Sequence, residues 1–282
     1  MTDGIVYLRA DNIFMDYFID THAHIYLQDF DSDRDDVMQR SLDAGVEKIC
    51  LPNIDHTSVD AMLETEMRHP EVCAATMGLH PCSVKKDFAR ELYNVEEWLA
   101  RRSFAAVGEI GTDLYWDKTF WDEQQEAFRV QVGWARQYDL PVIIHCRESL
   151  DQTIAMTEEL QDGSLRGVFH CFGGTIEQAT RIIAAGFYLG IGGIITFRKG
   201  HLDKVLKALG PDSMILETDS PYLAPEPYRG KRNEPSYIPM IARKLAEAQE
   251  IDPESIRKIT TGNALKLFNG LTRTADDETK QG

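Results

Sequence analysis

The chain has 282 residues, 43% of them hydrophobic, and a formal net charge of −16. That is enough apolar material for a large core, and so acidic a surface excludes a broad basic track gripping long stretches of nucleic acid backbone. The cysteines (Cys50, Cys73, Cys82, Cys146 and Cys171) are scattered without a CxxC pair, the N-terminus carries Asp3 and no apolar run, and no window approaches the ~20 apolar residues of a membrane span. These features point to a reducing compartment and a cytoplasmic protein, with no membrane association and no obligate protein partner evident.

Short apolar runs alternate with amphipathic stretches along the chain. An N-terminal extension, 1–15, is assigned no function. Strands are expected at Tyr17–Thr21, Val46–Leu51, Val72–Met77 and Ala105–Glu109, with helices at Asp33–Ala44, Ser58–Arg68, Val95–Arg102 and Asp122–Tyr138. Further on, strands at Pro141–Cys146, Gly167–Cys171, Phe187–Gly190 and Met214–Thr218 alternate with helices at Ser149–Leu160, Ile176–Ala185 and Leu202–Leu209. A long loop and helices near Ile238–Gln249 and Pro253–Phe268 complete a domain over 16–270, followed by a polar tail, 271–282. Eight strands separated by helices imply a parallel α/β sheet, and the count favours a single-domain (β/α)₈ TIM barrel. The runner-up, an open doubly wound sheet, usually carries a Gly-rich phosphate loop after its first strand. Here that strand runs into Asp20-Thr21-His22-Ala23-His24 instead.

Ionisable residues gather at the C-terminal ends of the expected strands. His22 and His24 follow the first, Glu109 ends the fourth, His145 the fifth and His170 the sixth, and Asp219 follows the eighth. In a barrel those ends surround one mouth. Two histidines two residues apart in extended chain face the same side and form a bidentate clamp for a cation. A carboxylate closing an apolar strand must be hydrogen-bonded or coordinate a cation, because burying it unpaired is costly. Four histidines and two carboxylates exceed one four-coordinate site and suit two divalent cations sharing a carboxylate. The imidazole-rich set favours Zn²⁺ or Mn²⁺ over Mg²⁺. Cys146 and Cys171 adjoin His145 and His170, and strand alternation turns them outward to pack between barrel and helices.

Other polar residues are read less directly. His80, in Gly78-Leu79-His80-Pro81 after the third strand, faces the same mouth and is expected to touch substrate. His56, His69 and His201 read as surface residues. Arg147 either clamps an anionic oxygen or forms a helix-capping ion pair with Glu148 or a neighbour. The PEPYRGKRNEP loop after the eighth strand, with Arg229, Lys231 and Arg232, reads as a phosphate-binding lip, with a plain solvated loop as the alternative.

Taken together, FIDTHAH, MGLHP, VGEIGTD, VIIHCRES, VFHCFGG and LETDSPYLAP followed by RGKRNEP resemble the TatD-type deoxyribonucleases of the amidohydrolase superfamily, in unbroken order from about Asp16 to Phe268. The resemblance implies a (β/α)₈ barrel that hydrolyses nucleic acid phosphodiester bonds, usually as a 3′–5′ exonuclease, with single-stranded DNA ends as the expected substrate. Residue by residue it assigns His22, His24 and Asp219 to a first cation, Glu109 to the bridge, and His145 and His170 to a second. The chemistry implied is attack by a metal-activated water, with Asp219 orienting it or taking its proton. Arg147 and the Arg229 loop would hold the flanking phosphate. About 14 residues precede Met15, more than family members usually carry there. The alternatives are a hydrolase of amides, aminoacyl esters or small phosphoesters on the same scaffold, and a non-catalytic metal-binding scaffold.

Overall fold

The computed structural model describes residues 16–197, 202–268 and 271. The expected extension 1–15, His201 and the tail beyond Leu271 lie outside the described residues. The strands are β1 (Phe18–Asp20), β2 (Val46–Pro52), β3 (Cys73–Thr76), β4 (Val107–Asp113), β5 (Val142–Arg147), β6 (Gly167–Phe169), β7 (Phe187–Ile191) and β8 (Met214–Leu216). The helices are α1 (Arg34–Asp43), α2 (Val59–Arg68), α3 (Phe88–Arg101), α4 (Trp121–Gln137), α5 (Leu150–Leu160), α6 (Ile176–Ala184), α7 (Leu202–Lys207), α8 (Ile238–Gln249) and α9 (Pro253–Leu267).

Every strand pairs in parallel with the next, β1 to β3 and β4 to β8. The two arcs join through a bridge between Met77 and Val107 and one between Ala23 and Ser220, with Thr21 N–H donating to Leu216 O at 3.0 Å. The sheet therefore closes into a (β/α)₈ barrel. Inside it, Ile19, Cys50, Ala106, Ile143, Val168 and Ile215 form one cluster with Ala264 and Leu267 of α9 and with Phe268, which follows it. Thr261 Oγ1 donates to Tyr17 O, and Asn263 Nδ2 to Met214 O, so α9 lies across the N-terminal ends of β1 and β8. That helix plugs the bottom of the barrel and leaves the opposite mouth for chemistry. The alternate strand residues, such as Val107, Ile110, Ile144, Phe169, Leu189 and Leu216, pack outward against the helices. Leu271 is buried with the inner cluster.

Two elements are longer than their sequence patterns suggest. Helix α3 starts at Phe88 rather than Val95, because Phe88, Leu92, Val95 and Leu99 keep helical spacing through a charged stretch. Strand β4 runs to Asp113 rather than ending at Glu109, and all seven residues of VGEIGTD are buried. Gly111 makes this possible. Its φ is +134°, and a Cβ there would sit 2.0 Å from the carbonyl oxygen of His145, so only glycine lets β4 lie this close to β5. Glu109 is thus mid-strand, and both it and Asp113 reach His145.

Candidate metal centre

All six residues expected as metal ligands converge at the C-terminal mouth. Glu109 is buried at their centre, and its two oxygens face different partners. Oε2 lies 3.2 Å from His22 Nε2 and 3.6 Å from His24 Nε2; Oε1 lies 2.9 Å from His145 Nδ1 and 3.0 Å from His170 Nε2. Asp219 Oδ1 is 3.7 Å from both His22 Nε2 and His24 Nε2, which are 3.2 Å from each other. A cation about 2.0–2.1 Å from four tetrahedral donors spaces them roughly 3.3–3.4 Å apart. The separations of His22 and His24 from each other, from Glu109 and from Asp219, 3.2–3.7 Å, lie close to that spacing, and the donor atoms of His22, His24 and Asp219 form one group. Donor atoms also group as His22, Glu109 and His170, and as His80, Glu109 and His145.

The proton inventory of the imidazoles fits the same use. Tyr26 Oη donates to Pro52 O, so it accepts from His24 Nδ1 at 2.9 Å, and the lone pair of Nε2 points inward. His145 Nε2 is 2.9 Å from Asp113 Oδ2, which fixes its proton there and turns the Nδ1 lone pair to the centre. His170 Nδ1 faces Glu217 Oε1 at 3.3 Å, a contact whose alignment falls short of a hydrogen bond, and again Nε2 points inward. Among the described residues, His22 Nδ1 is buried without a hydrogen-bond partner. Lone pairs of buried imidazoles aimed at carboxylate oxygens about 3 Å away are acceptors facing acceptors, and only a proton or a cation resolves that.

His80 differs. Its Nδ1 accepts the backbone N–H of Cys82 at 3.0 Å, so the neutral ring carries its proton on Nε2, 3.5 Å from Glu109 Oε1. It is presented as a donor, which agrees with contact to substrate better than with ligation.

Electrostatics follow from packing. Burial pushes the Glu109 carboxyl up, but the charges of His80, His22 and His170 outweigh it and hold the group well below the usual range. Burial, with the neighbouring His22, drives His24 well below its ordinary value against the opposing charge of Glu109. His170 goes well above its ordinary value, because Glu109 and Glu217 overcome the desolvation that opposes it. Burial raises Asp219, and raises Asp20 to about 7. Asp20 accepts from Thr218 N and Oγ1 and from His22 N, tying the segment that carries His22 to the one that carries Asp219.

Four supports of the site are not singled out by the sequence: Asp20, Asp113, Glu217 and Tyr26. Glu217 sits in the apolar run MILET and carries the same signal that marked Glu109, a carboxylate in a buried strand. Asp113 was hidden because Gly-Thr-Asp reads as a turn, and Tyr26 because nothing local shows that its hydroxyl reaches His24.

A cavity of about 900 Å³ opens above the centre, lined by His24, His80, Glu109, His145, His170 and Asp219. Arg147, Arg229 and Lys231 also line it. Arg147 forms no ion pair with Glu148 or any other carboxylate among the described residues; its guanidinium lies 3.7 Å from the Tyr115 ring centroid. Arg229 similarly covers Phe197 at 4.2 Å. Arg232 does not join them: both its terminal nitrogens bind Asp33, and it stacks on Phe30. The expected lip is therefore carried by Arg229 and Lys231. Cys146 and Cys171 both line the cavity: Cys171 lies past β6, which ends at Phe169, and turns through φ +50°, while Cys146, inside β5, also packs against the outer core. His56 is half exposed and pairs with Glu91, and His69 lies 3.4 Å from Asp35; both are far in role from the centre.

A closed (β/α)₈ barrel with histidines and carboxylates ringed at its C-terminal mouth defines a class, the metal-dependent barrel hydrolases. The family model described as TatD related DNase matches residues 19–269. The chain belongs to that family and is a TatD-type metal-dependent hydrolase. It is 36% identical over 250 residues to the uncharacterized metal-dependent hydrolase YabD of Bacillus subtilis, covering 88% of this chain and 98% of the relative. It is 32% identical to the 3′-5′ ssDNA/RNA exonuclease TatD of Rahnella, covering 85% and 93%. The crystal structure of YJJV, a TatD homologue from Escherichia coli K12, superposes with a TM-score of 0.85 at 31% identity, covering 90% of this chain and 99% of that one. No described helix is long and apolar enough to cross a membrane.

Proposed function

We propose that the chain is a 3′–5′ exonuclease that removes nucleotides from single-stranded DNA ends, using two divalent cations (Zn²⁺, Mn²⁺ or Mg²⁺) bridged by Glu109. The observation that carries this reading is the split of Glu109: Oε2 toward His22 and His24, Oε1 toward His145 and His170. His22, His24 and Asp219 would complete the first site, and His145 and His170 the second, within one catalytic domain over 16–270. When bound, such a pair lowers the pKa of water toward ~7 and stabilises attacking and leaving oxygens of an in-line displacement.

The residues of the chain do the rest. Asp219, whose carboxyl is raised by burial, orients the attacking water and accepts its proton, a contribution typically worth ~10²–10⁴-fold. His80 presents Nε2–H to a phosphate oxygen or the departing hydroxyl. Arg147, Arg229 and Lys231, free of carboxylate partners among the described residues, hold the flanking phosphate. Relatives named 3′-5′ ssDNA/RNA exonuclease support the substrate class. With a net charge of −16, three cationic side chains at one cavity suit a threaded single-strand end better than a duplex.

The test is hydrolysis of end-labelled single-stranded, blunt duplex and circular single-stranded DNA, with RNA, a dipeptide and a phosphotriester beside them, each with and without added metal. Metal-dependent cutting from the 3′ end, with single strands preferred by ~10-fold or more (about 1.4 kcal/mol), is expected. Rapid cutting of the circle, or turnover of the dipeptide or phosphotriester alone, would overturn the reading.

A further inference from the structure

The large apolar side chains left exposed are not spread evenly. Among the described residues Trp116, Tyr222 and Leu223 line the cavity and Tyr115 adjoins Trp116; Trp116 is 68% exposed, Tyr222 51% and Tyr115 46%. Exposed aromatics at a wet cavity mouth carry a hydration cost that a stacked ligand removes.

The Tyr115–Trp116 pair is held rigidly. Asp113 Oδ1 accepts both backbone N–H groups, at 2.8 and 3.0 Å, while Oδ2 of the same carboxylate takes His145 Nε2. One side chain thus sets the position of the aromatic pair relative to the metal centre. The two rings meet edge to face, 4.8 Å apart at 86°. Arg147 lies 3.7 Å from the Tyr115 ring centroid and 5.4 Å from that of Trp116, and the Trp116 indole, largely exposed, lines the cavity. Among the described residues the Arg147 guanidinium has no carboxylate partner, so its N–H edges can take a phosphate beside that indole.

We propose that Trp116 is a nucleobase-stacking platform, on which a base of the single strand lies while Arg147 takes its phosphate and the next phosphodiester reaches the Glu109 centre. The proposal rests on the nuclease reading and adds to it a subsite for the base. Stacking is tolerant of sequence because every base offers a π-face. It also selects for single strands, since bases in a duplex already cover one another's faces.

The experiment compares two probes on the metal-loaded protein: a thymidine hexamer and a hexamer of abasic residues, both with phosphorothioate linkages that resist cleavage. Wild-type protein should bind the base-bearing hexamer about 10-fold more tightly, about 1.4 kcal/mol, with quenching of tryptophan fluorescence that the abasic hexamer does not produce. Trp116→Ala should bring the ratio to about 2 or less, and Trp116→Phe should retain most of it, because an aromatic face survives. Equal weakening of both probes by Trp116→Ala, or no change in either, would overturn the proposal. Cleavage of an unmodified thymidine hexamer by the same preparations reads the nuclease activity separately. Hydrolysis with a wild-type ratio near one sinks the platform alone; a ratio that depends on Trp116 without hydrolysis sinks the nuclease reading and leaves the platform standing.

Discussion

Replacing Asp113 with alanine removes one carboxylate and should disturb one metal more than the other. Its Oδ2 holds His145 Nε2 at 2.9 Å, and its Oδ1 holds the Tyr115 and Trp116 amides. The amides lie under exposed side chains where water can replace the lost acceptor, so most of the cost falls on His145. Without an acceptor behind it, the imidazole no longer favours the tautomer whose Nδ1 lone pair faces Glu109. Loss of such an outer partner typically costs 10–100-fold in metal affinity, about 1.4–2.7 kcal/mol. Because His145 faces Oε1 and not Oε2 of Glu109, that loss should appear in one equivalent, leaving the site of His22 and His24 within about 3-fold, roughly 0.6 kcal/mol. Asp113→Asn retains a neutral acceptor and should fall between the two. A competition titration against a chromophoric chelator, paired with thermal unfolding of the same samples, reads both equivalents and the fold. Two unchanged affinities in a folded Asp113→Ala protein would refute the idea that Asp113 sets the His145 tautomer.

Other perturbations test neighbouring parts. Gly190→Ala places a methyl where Glu217 Oε2 would be 2.2 Å away and His170 Cα 3.0 Å, so it should displace the carboxylate behind His170 and weaken the second equivalent by about 10-fold in the same titration. Glu109→Ala should lower both equivalents and reduce turnover by about 10³-fold or more, several kcal/mol of transition-state stabilisation. His80→Ala should keep metal content and lower turnover alone; elemental analysis showing metal lost from His80→Ala but kept by Glu109→Ala would reverse the two roles. Asp33 is held down at about 2, first by its hydrogen bond to Arg232, against an ordinary value of 3.8. Its folded-state value is depressed, so the stabilisation is present above pH 3.8 and lost as pH falls through about 2. Arg232→Met should therefore cost about 1 kcal/mol at pH 7, after screening at a partly exposed pair, and almost nothing near pH 2 in denaturant titrations.

The parts of the site carried by local pattern are legible in the sequence. An HxH pair after an apolar strand, and histidines closing two successive strands, point to one shared site because strand ends meet at one mouth of a barrel. What escaped was set by register between strands. Asp113 matters only because Gly111 lets β4 press against β5, pairing Asp113 with Arg147 and placing both β4 carboxylates against one imidazole. Tyr26 acts through a hydroxyl that reaches His24 only in the folded chain. The basic loop shows the opposite failure. Arg229, Lys231 and Arg232 look alike in sequence, and only the position of Asp33 on the neighbouring segment withdraws Arg232 from the cavity. Strand alternation puts Cys146 and Cys171 on the outer face, an argument that lapses for Cys171 because β6 stops at Phe169, whereas Cys146, inside β5, packs against the outer core and still borders the cavity.

The central claim is that Glu109 bridges two cations at the barrel mouth. It is tested most directly by anomalous scattering from crystals grown with Mn²⁺, collected for the wild-type protein. The account predicts two peaks about 3.5–4 Å apart, one beside His22, His24 and Asp219 and one beside His145 and His170, with a Glu109 oxygen on each. A single peak, or a pair that leaves Glu109 uncoordinated, would contradict it.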